Sequence, residues 1–172
     1  GIPGFRTPRE VLDAEIQRIV DLGVDVRLNC RIGTDVTLGE LRQDYSAVFL
    51  GMGAQSGRPL PAPGGDAPNV VTATAFLKAF NDGRLRHVGK RVVVIGGGDT
   101  SIDVATVARR LGHIDQIHEG DRPENAIAGF AAHDAASLSR RQGAEVTLTS
   151  IFDIQKMQAS KHEVEHALGE GI

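Results

Sequence analysis

The stretch from Lys90 to Leu111, KRVVVIGGGDTSIDVATVARRL, constrains this chain more than any other. Val92, Val93, Val94 and Ile95 form an unbroken β-branched run, the pattern expected of a strand buried on both faces of a parallel sheet. The run leads straight into Gly96-Gly97-Gly98. Beyond the glycines, apolar residues at Ile102, Ala105, Val107, Ala108 and Leu111, with a stop at Gly112, predict a helix.

Strand, glycine turn and helix in that order place Gly96, Gly98 and Ser101 at the G-x-G-x-x-G/A positions of a dinucleotide-binding turn, with Gly97 between the first two. Gly96 permits the tight bend, Gly98 lets the backbone approach a pyrophosphate, and the small Ser101 allows the helix to pack closely on the strand. The last of these departs from the pattern, which has Gly or Ala there. Free amides at the helix start face the anion, and the helix dipole adds partial positive charge. Thr100 is placed to donate to a phosphate, whereas Asp99 is expected to point outward or to contact ribose, because its charge opposes a phosphate. Asp103 fits the favourable end of the helix dipole.

Composition narrows the class. The 172 residues are 41% hydrophobic, with 21 glycines and only 4% aromatics, which suits an α/β nucleotide binder with many tight turns. A formal net charge of -3 gives no electrostatic case for nucleic acid or an anionic membrane. No apolar run has the length of a bilayer span and no signal peptide is visible, so a cytoplasmic protein is expected. Cys30 is the only cysteine; it excludes an internal disulfide, a C-x-x-C pair and a cysteine-held cluster, and is expected as a small buried hydrophobe in a strand.

The remaining elements follow in order. The chain opens at Gly1-Ile2-Pro3 without an initiator Met, which suggests an internal piece of a longer protein. Thr7-Pro8-Arg9-Glu10 reads as a capping box before a helix carrying Leu12, Ile16, Ile19 and Val20 and stopping at Gly23. Strands are expected over Val24 to Ile32 and Ala47 to Leu50, with a helical turn capped at Thr37-Leu38-Gly39-Glu40 between them. Gly51-Met52-Gly53-Ala54 ends the second strand, and QSGRPLPAPGGDAP has the composition of a domain boundary. Thr72 or Thr74 then caps a helix to about Phe80, ended by Asn81-Asp82-Gly83.

These motifs together resemble the small subunit of bacterial glutamate synthase and its relatives, FAD-dependent pyridine nucleotide oxidoreductases related to thioredoxin reductase. The similarity lies in GIPGFRTPREVLDAEIQRIVDLGV, FLGMGAQSGRPLPAPG and GKRVVVIGGGDTSIDVA, in that order. It implies a Rossmann-like three-layer α/β domain with a parallel sheet that binds NAD(P)H over residues 65–172. It also implies that residues 1–64 are the tail of a preceding FAD-binding domain and its hinge, with Gly51, Gly53 and Ala54 near the flavin or the hinge. The activity implied is hydride transfer from NAD(P)H to FAD, with no catalytic side chain in this stretch and electrons leaving to an acceptor domain or subunit outside it. The isolated stretch would hold dinucleotide without turnover; the alternative is a non-catalytic nucleotide-binding or scaffold module of a larger redox complex.

Departures from the family carry information. The family's second strand ends in an arginine pair that grips the 2′-phosphate of NADPH, whereas this chain has Ser150-Ile151-Phe152 after Val146-Thr147-Leu148-Thr149. Ile and Phe cannot replace the charged guanidinium fork, so NADH is slightly favoured, although Ser150 is not the acid usual at an NAD ribose. Residues 113–144 form an insertion, with a helix expected from Ala128 to Arg141 and exposed loop histidines at His113, His118 and His133; His87 is read the same way. In a rival alignment Ile114 to Glu119 is the next strand and Glu119 the ribose acid, but Glu145 to Ser150 has the better strand composition.

His162-Glu163-Val164-Glu165-His166 spells H-E-x-x-H, the zinc signature of a metalloprotease helix. Ser160-Lys161-His162-Glu163 is itself a capping box, and the apolar stripe Val164, Ala167 and Leu168 turns both histidines to solvent. No metal site is expected.

Overall fold

A computed structural model describes residues 1–115, 119–129 and 143–172. These fall into two compact units, one of residues 7–55 and one of residues 1–6 with 56–172.

The smaller unit contains α1 (Arg9–Val20) and α2 (Leu38–Asp44). The cap of α2 forms as the sequence indicates: Thr37 Oγ1 accepts the Glu40 amide at 3.2 Å while the Glu40 carboxylate accepts the Thr37 amide at 2.7 Å. The box expected at Thr7 does not form. Pro8 takes the N-cap position of α1 and no side chain caps that helix, because Pro8 offers no hydroxyl or carboxylate oxygen to the first turn. Val24 to Ile32 and Ala47 to Leu50 are not strands. Extended chain becomes a strand only when a neighbour takes its amides and carbonyls, and apart from a bridge between Ile32 and Val36 these segments have none. Cys30, expected inside a strand, is therefore exposed. No residue from Thr7 to Gln55 is buried, and Phe49 is 94% exposed.

The larger unit is α/β, with elements α3 (Ala73–Asn81), β1 (Arg91–Ile95), α4 (Asp99–Leu111), α5 (Pro123–Ala128), β2 (Glu145–Thr149) and α6 (Lys161–Gly169). Thr72 caps α3 through its hydroxyl, which accepts the Ala75 amide at 3.4 Å, and Gly83 leaves the helix at φ 73°. β1 and β2 pair in parallel from Arg91 opposite Glu145 to Ile95 opposite Thr149. The strand paired with β1 among the described residues is thus the Glu145 segment; of the rival Ile114 to Glu119, residues 116–118 lie outside the described residues.

Alternation along the two strands turns Val94 and Val146 inward. There they meet Val104, Val107, Ala108 and Leu111 of α4, with Phe76 and Leu77 of α3 behind. Val107, only 1% exposed, contributes about 2 kcal/mol by burial. The expectation of burial on both sheet faces is corrected: Val93 and Ile95 are 66% and 61% exposed. With period 2 they point to the opposite face, which no helix among the described residues covers. The small parallel sheet with helices packed against it fits a Rossmann-like domain.

Two further expectations change. His113 and His87 are buried rather than exposed, because the chain running into β1 and the chain leaving α4 lie side by side, joined by a bridge between Val88 and His113. His113 Nδ1 lies 3.2 Å from the Gly143 carbonyl and Nε2 3.2 Å from Asp115. In the insertion, α5 and a 3-10 turn at Glu119–Asp121 are described, while His118, His133 and all but the start of the helix expected from Ala128 to Arg141 lie outside the described residues.

Among the described residues, no helix is long and apolar enough to cross a membrane.

Candidate functional site

β1 ends at Ile95 and α4 begins at Asp99, so the three glycines make the whole turn. Gly96 bends it at φ 144°, a conformation open essentially to glycine. A Cβ there would also collide with Ser101 Oγ, so Gly96 and Ser101 fit together as the close pair the motif requires. A Cβ on Gly97 would stand 2.5 Å from Ser150 Oγ, which places the end of β2 directly against the turn. Gly98 differs from both. It is the N-cap of α4 with an ordinary φ of -99°, and a Cβ there would meet nothing within 4 Å.

The space above Gly98 is where α4 leaves amides without acceptors. The Gly96 amide donates to the Thr149 carbonyl at 2.7 Å, and the Ser101 amide turns back to the Gly98 carbonyl at 2.9 Å. Among the described residues, the amides of Gly97, Gly98, Asp99 and Thr100 have no such partner. Orphan donors at a helix start, next to a position without a Cβ, are an arrangement that favours an anion.

Asp99 neither points simply outward nor stands free. Its Oδ1 accepts the Ser160 amide at 3.1 Å, just ahead of α6. Beside it the Gly97 carbonyl accepts the Ala159 amide at 2.9 Å. Ser150 Oγ accepts the Phe152 amide at 3.1 Å. Behind Ser150 lies a mainly apolar cavity of about 210 Å³ lined by Ile102, Leu148, Phe152, Met157 and residues of α6.

Sequence reasoning missed the charge cluster on the next turn of α4. Asp103 is buried and pairs with Arg6, which also pairs with Glu163 of α6. Burial pushes the Asp103 carboxyl above its ordinary value against the pull of the Arg6 hydrogen bond and charge, and negative Glu163 and Asp99 add to the rise. Burial opposes the Arg6 charge, yet Asp103 and then Glu163 hold that guanidinium above its ordinary value. No spacing rule links residues so distant in sequence.

The H-E-x-x-H segment lies on α6, where Ser160 Oγ accepts the Glu163 amide at 3.4 Å. Val164 and Ala167 are buried, Leu168 is 54% exposed, and both histidines face solvent. Glu163 is held by Arg6, and no metal-binding group occurs among the described residues.

Gly51, Gly53 and Ala54 lie in the smaller unit, all exposed. Gly53 has φ 66°, and a Cβ on Gly51 would press on the Phe49 ring at 3.1 Å.

A family model described as pyridine nucleotide-disulphide oxidoreductase matches residues 7–170. The chain is 42% identical to the NADPH-Fe(3+) oxidoreductase subunit beta of Geobacter sulfurreducens over 115 residues, 65% of this chain and 17% of that protein. It is 40% identical to the NAD-dependent dihydropyrimidine dehydrogenase subunit PreT of Salmonella typhimurium over 114 residues, 65% of this chain and 27% of that protein. Similarity to the NADPH glutamate synthase small chain of Azospirillum brasilense covers 100% of this chain and 32% of that protein at 31% identity. The chain therefore spans less than a third of the length of these relatives.

Proposed function

Because this chain belongs to the pyridine nucleotide-disulphide oxidoreductase family, we propose that it is the nicotinamide-dinucleotide-binding part of a flavin-dependent oxidoreductase. The observation that carries the reading is the open space over Gly98 beside the acceptor-free amides of Gly98, Asp99 and Thr100.

In this reading the pyrophosphate rests on those amides and on Gly97, with the Thr100 hydroxyl as a further donor. Gly96 and Ser101 keep strand and helix close enough to form the cradle. Ser150 faces the adenosine ribose. A ribose hydroxyl there meets a neutral Ser, and a 2′-phosphate meets no guanidinium, since Ile151 and Phe152 follow. NADH is thus preferred to NADPH. The names of the relatives include both NAD-dependent and NADPH-dependent proteins.

Residues 1–64 are assigned to the tail of an FAD-binding domain and its hinge, with Gly51, Gly53 and Ala54 on the flavin side, and 65–172 to the dinucleotide domain in its three-layer form. The exposed apolar side chains of the smaller unit suit a segment that packs on further chain. When bound, the two cofactors supply the hydride chemistry, and the protein supplies position and electrostatics. Electrons then pass to an acceptor domain or subunit outside this stretch, in a cytoplasmic complex.

The test is calorimetric titration of the FAD-loaded parent protein with NADH and with NADPH. Saturable NADH binding that exceeds NADPH binding is expected. Binding of neither would leave a scaffold module.

A further inference from the structure

Asp99 stands at the mouth of a cradle for an anion, where its own charge is unfavourable. Yet the carboxylate is already engaged. Oδ1 accepts the Ser160 amide at 3.1 Å, and next to that bond the Gly97 carbonyl accepts the amide of the adjoining Ala159 at 2.9 Å. These two bonds tie the end of the 150–160 segment to the glycine turn. The other end of that segment is Ser150, whose Oγ would lie 2.5 Å from a Cβ on Gly97. The segment therefore leaves the turn at Ser150, carries the exposed Ile151 and Ile154 through solvent, and returns to the turn at Ala159 and Ser160.

We infer that Asp99 is a positioning residue: its carboxylate, holding the Ser160 amide alongside the Gly97–Ala159 bond, clamps the end of the 150–160 segment onto the glycine turn and so fixes that segment as the wall that receives the adenosine half of the dinucleotide. The inference rests on the dinucleotide reading and adds to it how the adenosine side is shaped. Two features favour a clamp over a direct ligand. The contact is made through a carboxylate oxygen to a main-chain donor, a charge-assisted bond that engages the Asp99 side chain away from the free amides. The segment it holds also carries Met157, which lies 3.6 Å from the Gly97 Cβ position and lines the cavity behind Ser150. Without the clamp, the segment must be ordered on binding, and affinity falls by the fraction of time the wall is out of place.

A clamp and a phosphate neighbour respond oppositely to loss of Asp99. The test is calorimetry on the FAD-loaded parent protein with NADH, ADP and inorganic pyrophosphate, for wild type, Asp99→Ala and Asp99→Asn. In Asp99→Ala, ADP and NADH are expected to bind about tenfold more weakly, the worth of one charge-assisted bond. Pyrophosphate, which reaches only the amides, binds equally or more tightly once the like charge is gone. Asp99→Asn keeps an oxygen acceptor for the Ser160 amide and restores ADP binding to within about twofold of wild type.

Ser160→Pro examines the clamp from its other side. Ser160 has φ -62°, which proline adopts without strain, so the change deletes the donor amide; Ser160→Ala retains it and controls for the lost cap. ADP binding should weaken in Ser160→Pro only, and Asp99→Ala should add nothing in that background. Equal weakening of ADP and pyrophosphate, unchanged ADP binding in Asp99→Ala, or failure of Asp99→Asn to restore it would overturn the clamp. A wild-type chain that binds none of the three ligands would instead sink the dinucleotide reading itself.

Discussion

Arg6 Nε donates to the Asp103 carboxylate across 97 residues of sequence, and through a second nitrogen the same guanidinium pairs with Glu163. One side chain thus holds the amino-terminal residues of the larger unit to both α4 and α6. The three side chains are 20%, 10% and 23% exposed, dry enough for the pairing to matter. Removing one partner of such a cluster leaves uncompensated charge behind. Arg6→Ala is expected to destabilise the larger unit by about 3 kcal/mol, read from urea unfolding. Arg6→Met with Asp103→Leu and Glu163→Gln, which removes charge from all three members of the cluster, should recover most of that loss.

The pH dependence of this cluster has a definite sign. Asp103 has a folded-state value raised above its ordinary 3.8, chiefly by burial. It therefore binds a proton more tightly when folded, and its contribution to stability is complete below the unfolded value and lost as pH rises through the folded one. Asp103→Asn lacks this response. As pH rises from about 3.8 through the raised folded value, the stability of wild type relative to Asp103→Asn should decline. A difference that grows with pH would reverse the assignment.

Gly98 and Gly96 should separate binding from folding. Gly98 has an ordinary φ and free space at its Cβ position, so Gly98→Val should fold and unfold nearly as wild type. Its side chain would fill the space above the free amides and weaken NADH binding by more than about tenfold, about 1.4 kcal/mol. Gly96→Ala acts on the fold instead, because of φ 144° and the adjacent Ser101 hydroxyl, and should cost about 1–3 kcal/mol of stability. Thermal unfolding and NADH titration of the two variants would show the opposite patterns.

What could be read from sequence was what the chain decides within a few residues. The Thr37 and Glu40 cap, the Thr72 cap and the Gly112 stop each depend on neighbours within a turn. The valine run, glycines and following helix were legible for the same reason. Val24 to Ile32 and Ala47 to Leu50 have strand composition, but pairing is decided by whatever lies alongside, and composition does not carry that information. Burial of His87 and His113 depends on two segments meeting at the foot of the sheet. Asp99 and Asp103 were visible as acids at a helix start, but their partners Ser160 and Arg6 come from distant segments. The site's turn is therefore local and its support is not.

The coenzyme preference offers a gain-of-function test. Ile151, immediately beyond Ser150, is 93% exposed and accepts a long charged side chain freely, whereas Phe152, 46% exposed, gives up its place at the apolar cavity when replaced. A guanidinium presents a planar, permanently charged fork that matches phosphate in bidentate fashion, which neither Ile nor Phe can imitate. Ile151→Arg with Phe152→Arg should raise the ratio of NADPH to NADH affinity by at least about tenfold, about 1.4 kcal/mol, almost wholly by tighter NADPH binding. The gain should shrink as salt is added, since exposed charges are screened over about 10 Å at 0.1 M. The same ratio in variant and wild type would place the 2′-position of the ribose somewhere other than beside Ser150.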